Sequence, residues 1–402
     1  MQPRDHATAG ADAGHPREPS PGYPFDAGPL PRLRAALHCP AEARRLAWRR
    51  AAAAAAVAWL PLLVLSSLPW TAGPSARPLF LRDVAAHARY LAAIPLLVGA
   101  EPWCLPQLAS IVRHFTGSGL IAGADRARWD ALVARARRLL DGRGEEVALP
   151  VAAYLATALL AGVVYPHAGA GWVAPGGAIS AAGWWRVLVS QPLFLLCLLG
   201  WLWRVAVWAR LLWGASRLPL RLVPSHPDLA GGLRFVAVSL RAFAPVALAI
   251  GTVVSGTLAG EILAHTDPAP RLGSVATVAV APALALALFA APLLVFAWPL
   301  HRARLRGTLD YGALAGALGR RFEERWIRPA DAVDPGALEV QDFSATTDLY
   351  SIVANVRGQV LVPVGVRDLL TLAAWALLPF IPLLLLLMPL SEVLSRMAEL
   401  LL

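Results

Sequence analysis

Lysine is missing from this chain, and all 36 of its basic residues are arginine. Together with abundant alanine, glycine and proline, that bias points to a GC-rich genome. Charge of either sign is also scarce. Only 15% of the 402 residues are charged and 57% are hydrophobic, too little polar surface for a soluble protein of this length. The net charge of +10 therefore reads as membrane-flanking arginine rather than as a nucleic-acid footprint. Cysteine is sparse: Cys39, Cys104 and Cys197 share no C-x-x-C spacing, which excludes a disulfide framework and a thiolate metal site. Enzyme signatures are missing as well. No Gly-x-Ser-x-Gly, His-Glu-x-x-His, Walker loop or Gly-x-Gly-x-x-Gly occurs, so no motif names a catalytic residue, and no cofactor or metal is expected. A leader with a basic n-region and cleavage pattern is likewise not expected before the first apolar run near Arg50.

What the chain does have is long apolar runs, each near the roughly 20 residues that cross a hydrocarbon core. Seven are expected, near 51–70, 86–108, 147–166, 185–210, 235–262, 272–300 and 368–390. The fold class is all-α: a polytopic transmembrane bundle with short cytoplasmic amphipathic helices. Its expected parts are a disordered cytoplasmic tail (1–48), a transmembrane bundle (49–300), a cytoplasmic helical connector (301–367), and a last span with an interfacial tail (368–402). Arginine sets the orientation. The tail, the 113–146 loop, the 210–234 hinge and the 301–367 connector hold 8, 7, 4 and 9 arginines. The intervening segments hold 3, 0, 1 and 1. By the positive-inside rule the amino terminus is cytoplasmic and the carboxyl terminus periplasmic, in a bacterial inner membrane. In 124–146, Trp129, Leu132, Val133, Ala136, Leu139 and Leu140 recur at helical spacing between arginines. That amphipathic helix is expected to lie on the anionic inner leaflet or to pack under the bundle. Anionic phospholipids are thus the expected partners, with oligomerisation open. Gly256-x-x-x-Gly260, with Gly251 and Ser255 one turn earlier, gives the fifth span a small-residue face. In the connector, one helix is expected from Thr308 to about Trp326 and another near 347–357, where Asp342 and Asp348 suit caps.

Two places could carry chemistry. In the hinge, Arg217–Arg234, Pro224 and Pro227 flank His226 and restrict the backbone around it. Asp228 before Leu-Ala-Gly231-Gly232 suits a helix N-cap, which makes the hinge a rigid turn. The same amides, with Arg221 and Arg234, could instead hold an anion such as a lipid phosphate. Alternatively, His226 and Asp228 are two ligands of a metal or an acid/base pair, though no second ligand cluster accompanies them. The other place is Glu101, deep in the second span, where a charged carboxylate at mid-bilayer costs on the order of 2.5–3.5 kcal/mol. On an ideal helix Asp83, His87 and Glu101 fall within about 40° of one another. They form either a polar path, or a structural set in which Glu101 pairs with Arg204 or Arg241.

With P-L-L-V-G-A-E (95–101), V-P-S-H-P-D-L-A-G-G-L (223–233), Y-G-A-L-A (311–315) and the closing V-R-D-L-L, the chain resembles a family of bacterial multi-pass inner-membrane proteins. That family carries an H-P-D-x-x-G-G hinge and has no assigned activity, so the resemblance implies membrane placement and no chemistry. Pro224-Ser225-His226 also approaches the Pro-Ser-Gly-His box of membrane phosphatidic-acid phosphatases, but it lacks the glycine and that family's other phosphate-binding motifs. Three function classes follow: a transporter or channel using a mid-membrane carboxylate, a membrane enzyme acting on lipid head groups at the inner leaflet, and a non-catalytic partner or scaffold subunit.

Overall fold

A computed structural model describes residues 40–68, 76–163, 172–174, 178–264, 272–327 and 342–383. Most of these residues are helical, with no strand among them. The elements in chain order are α1 (Pro40–Ser67), α2 (Ala76–Leu81), α3 (Val84–Gly117), α4 (Arg126–Leu140), α5 (Arg143–Val163) and α6 (Ala181–Ser216). They continue with α7 (Val238–Ala242), α8 (Ala244–Ala264), α9 (Leu272–Ala290), α10 (Ala297–Phe322), α11 (Asp342–Gly358) and α12 (Val366–Leu377). Among the described residues six helices are long and apolar enough to cross a membrane. The number becomes seven when α4 and α5, bent by 53° against each other, count as one further span. The polytopic all-α reading therefore holds.

Several boundaries differ from expectation. The alanine-rich first helix already begins at Pro40, before the expected start near residue 49. The helix expected from Thr308 is the continuation of the sixth span: α9, a 3-10 turn over Ala291–Phe296 and α10 run on from one to the next. The fifth span is broken near its start, because a 3-10 turn over Arg234–Ala237 and the short α7 precede α8. Residues 1–39, the Pro329–Pro335 linker, His265, Asp267 and the last 19 positions lie outside the described residues.

The core is built around α3, α6 and α8. Stacked Phe243 and Phe289 (centroids 4.9 Å apart) and edge-on Trp201 fill its centre. Small residues bring α8 close to its neighbours. A Cβ at Gly251 would collide with the Ala376 carbonyl of α12, and one at Gly256 with the Ala88 side chain of α3. Van der Waals packing drives helix association in lipid, so this close approach is the reason for the glycines.

α3, α6 and the combined Thr277–Ile327 helix are 34, 36 and 51 residues long. At 1.5 Å per residue they reach about 51, 54 and 76 Å, well beyond a core of roughly 30 Å. Their ends therefore project past the apolar zone. At the α4 end, α4 packs on the projecting part of α6, with Leu132 against Gly214 and the Trp203 indole donating to the Leu139 carbonyl (3.1 Å). The amphipathic helix thus packs under the bundle.

Candidate functional site

Asp83, His87 and Glu101 do not form one face. Asp83 sits outside the helix as its N-cap, accepting from the Ala86 N–H (2.9 Å) and from the Trp172 indole (3.0 Å). The His87 Nδ1 accepts from the Trp59 indole (2.9 Å), which leaves Nε2–H to donate to the Leu81 carbonyl (3.1 Å). Phe80 packs edge-on against both His87 (5.2 Å) and Trp172 (5.0 Å). Together these groups clamp the α2–α3 corner with both polar side chains satisfied. Glu101 is turned away from them by a π-helical stretch over Ala88–Ala93. One residue corresponds to about 100° of helix rotation, so a π-bulge shifts the register that an ideal projection assumes.

Glu101 is bonded instead to Arg204 of α6, Nη2 to Oε1 at 2.7 Å, and the two side chains are only 19% and 15% exposed. The Arg204 guanidinium also lies over the Trp201 ring, 5.1 Å from its centroid. Glu145 of α5 acts on the same guanidinium.

The neighbours fix the level of this pair along the bundle. The Trp201 indole donates to the Leu97 carbonyl (2.8 Å), and the space in front of Gly99 is filled by the Trp48 ring (3.9 Å). Beside Trp48 in α1 stand Arg45, Arg49 and Arg50, and α5 begins its polar turn at Arg143-Gly-Glu-Glu. The charged ends of α1 and α5 thus stand beside Glu101. Further along α3 toward its start lie the Trp59–His87 contact and Tyr90 on Gln191 (3.1 Å). Glu101 lies 14 residues from His87, about 21 Å along a helix. With His87 at one edge, that would be some two-thirds of the way across a core of roughly 30 Å. Glu101 is central in its own helix and yet lies beside the charged ends of its neighbours.

In the hinge the turn is organised by one carboxylate. Asp228 Oδ1 accepts from the N–H groups of Ala230 (2.8 Å) and Gly232 (3.1 Å), and Oδ2 from Arg234 (3.1 Å). His226 Nδ1 stands 2.8 Å from Oδ1, with its side chain 42% exposed. Burial alone would raise the Asp228 carboxyl. The Ala230, Arg234 and Gly232 amides, with His226 beside them, outweigh burial and hold the group below the usual aspartate range. The turn needs left-handed backbone at Leu229 (φ 55°), Gly231 (φ 63°) and Gly232 (φ 91°). Glycine takes this conformation freely, whereas Leu229 costs on the order of 1–2 kcal/mol. Its carbonyl is tied to the Val360 N–H (2.8 Å) just past α11.

This arrangement corrects the N-cap expectation. Asp228 does not begin a helix but closes a loop, and Leu233 caps the 3-10 turn that follows without a side-chain bond. The amides proposed for an external anion are occupied by Asp228 itself. The Arg234 guanidinium lies against Gly365 instead, while exposed Arg221 uses its backbone N–H on the Leu120 carbonyl (2.8 Å). Among the described residues no three His, Cys, Asp or Glu side chains converge on a metal position. Cys104 and Cys197 are free thiols, and Cys104 donates to the Ala242 carbonyl (2.6 Å).

Two groups that sequence reasoning passed over matter here. Asp368, 9% exposed, pairs with Arg241 (3.1 Å) and accepts from the Gly365 N–H (3.2 Å), tying α7 to α12. Its signal was readable: an acid three residues into a helix that follows a glycine. The Gln359 side chain is buried at 1% exposure beside Gly231, with neither amide atom hydrogen-bonded. No sequence pattern marks it. Ser225 and Tyr311 hydroxyls lie 3.1 Å apart, joining the hinge to α10. No protein-family model, curated protein or solved structure matches the chain.

Proposed function

We propose that the protein is a non-catalytic partner or scaffold subunit of a bacterial inner membrane, with its arginine-rich α4 end in the cytoplasm. One observation carries the reading: three little-exposed carboxylates, Glu101, Asp228 and Asp368, are spent on joining segments. Glu101 holds α3 to α6 through Arg204, Asp228 closes the hinge on three amides, and Asp368 holds α12 to α7 through Arg241. A proton-linked site needs a carboxylate that can change partners during a cycle, whereas Glu101 is held by the Arg204 guanidinium at 2.7 Å. The orientation follows from the arginine alternation. The projecting α10 exposes Leu305 (53%), Leu309 (73%) and Leu314 (55%), the kind of face a scaffold role requires.

The test is ion flux in proteoliposomes carrying a trapped pH dye, under an imposed pH gradient and membrane potential. Wild-type vesicles are expected to leak no faster than empty ones, with E101Q unchanged. A wild-type flux abolished in correctly folded E101Q would replace this reading with the transporter one. The lipid-enzyme reading retains one observation, the His226–Asp228 pair beside the Ser225–Tyr311 contact. It requires a headgroup-modifying activity that H226Q removes without unfolding the protein.

A further inference from the structure

Between α4 and the projecting half of α6 lies a cavity of about 450 Å³. That is within the roughly 300–1,000 Å³ range of small-molecule sites. Its floor is apolar, formed by Leu139 of α4 with Val207 and Leu211 of α6. Its rim carries four guanidinium groups, Arg128 and Arg135 from α4 and Arg210 and Arg217 from α6. Arg128 pairs with Asp125 (2.9 Å), and Arg217 stacks on Trp213 at 3.9 Å from the ring centroid. Arg135 and Arg210 have no carboxylate within 4.0 Å among the described residues. The groove is held open by the bundle itself, through Leu132 against Gly214 and the Trp203–Leu139 hydrogen bond.

We propose that this groove binds one anionic diacyl phospholipid of the surrounding bilayer, its phosphate between Arg135 and Arg210 and acyl carbon along the leucine floor. Three features select that occupant. Two unneutralised guanidinium groups match a phosphate in charge and in hydrogen-bonding geometry. An apolar floor gives nothing to a free phosphate but shelters the first methylenes of a lipid tail. The depth also agrees. Val207 is 26 residues past the start of α6, about 39 Å along it, and a bilayer with its headgroups is about 40–45 Å thick. The groove thus opens in the headgroup layer, where basic pockets between membrane helices take acidic lipids. This site is separate from the Glu101–Arg204 pair and from the Asp228 turn, and it does not depend on whether the protein is a scaffold.

The experiment is native mass spectrometry of the detergent-solubilised full chain. It is titrated with dioleoyl-phosphatidylglycerol or dioleoyl-phosphatidylcholine, which share acyl chains and differ in headgroup charge. Wild-type protein is expected to bind the first lipid tighter by about tenfold. R135Q/R210Q is expected to lose about tenfold for phosphatidylglycerol only, whereas R320Q/R321Q, which removes equal charge from exposed α10, keeps wild-type affinity. A131W, which fills the groove without touching the Leu132–Gly214 seam, is expected to lose both lipids. Equal affinity for the two lipids overturns the proposal. So do equal losses in the two arginine pairs, or phosphatidylglycerol retained by A131W. Unchanged circular dichroism melts for each variant separate loss of the site from loss of the fold.

Discussion

Replacing Glu101 by glutamine tests whether its pair with Arg204 holds the bundle together. The pair lies across α3 and α6, little exposed, at 2.7 Å. Two unit charges about 4 Å apart attract by roughly 4 kcal/mol at an effective dielectric constant of 20. Glutamine keeps the shape and can still accept one hydrogen bond from Arg204, recovering about 1 kcal/mol. E101Q is therefore expected to lower unfolding free energy by about 2–3 kcal/mol. R204Q strands the carboxylate among apolar side chains and should cost more, about 3–5 kcal/mol. The double variant removes both charges, so its cost should be smaller than the sum by at least about 2 kcal/mol. Denaturant unfolding in mild detergent, followed by tryptophan fluorescence, measures all three. Additive costs, or an E101Q change below about 0.5 kcal/mol, would refute the reasoning and return Glu101 to the candidates for a working carboxylate.

Other outcomes follow from the hinge and the seam. Asp228 has a folded-state pKa held below the ordinary aspartate value of about 3.9, so its stabilisation is present above that pH and fades as pH falls through it. In D228N one amide N–H of the side chain meets a backbone N–H, so it should cost about 1–3 kcal/mol near neutrality and flatten the acid limb of the stability curve; a parallel limb would contradict this. Q359L replaces a buried amide with no hydrogen bond by hydrocarbon, and a melting temperature equal to or above wild type is expected in detergent. A clear drop would mean that a bound molecule satisfies the amide. G256V places a branched side chain where Ala88 already sits, and should abolish assembly of the folded bundle, whereas G260A, with Ala85 at 3.8 Å, should be tolerated.

Much of the fold could be read from residue order. Runs of apolar residues near 20 long identify the spans, and Gly251 and Gly256 announce close packing that the seams with Ala376 and Ala88 bear out. The hinge was legible as a rigid turn, since Pro224, Asp228, Gly231 and Gly232 each restrict or permit particular backbone angles. What could not be read was the direction in which polar groups turn. Projection on an ideal helix joined Glu101 to Asp83 and His87 because a π-helical stretch leaves no mark in composition. Depth is hidden for a related reason. Glu101 is central in its own apolar run, but Arg45–Arg50 of α1 and the polar start of α5 stand at its side. Such levels depend on neighbours that a linear reading does not align. Gln359 leaves no mark in the sequence because burial, rather than residue type, makes it consequential.

The depth of Glu101 can be measured through its exposed neighbour Trp103, 58% accessible on the outer face of α3. A nitroxide attached at W103C, with the native cysteines replaced, reports depth in a bilayer through its relative collision rates with oxygen and a water-soluble nickel chelate. Sixteen residues from His87 correspond to about 24 Å, so the label should lie about 5–8 Å inside the nearer edge of a 30 Å core. A reading at the bilayer centre, about 15 Å from either edge, would contradict the boundary position of the Glu101–Arg204 pair and the structural role derived from it.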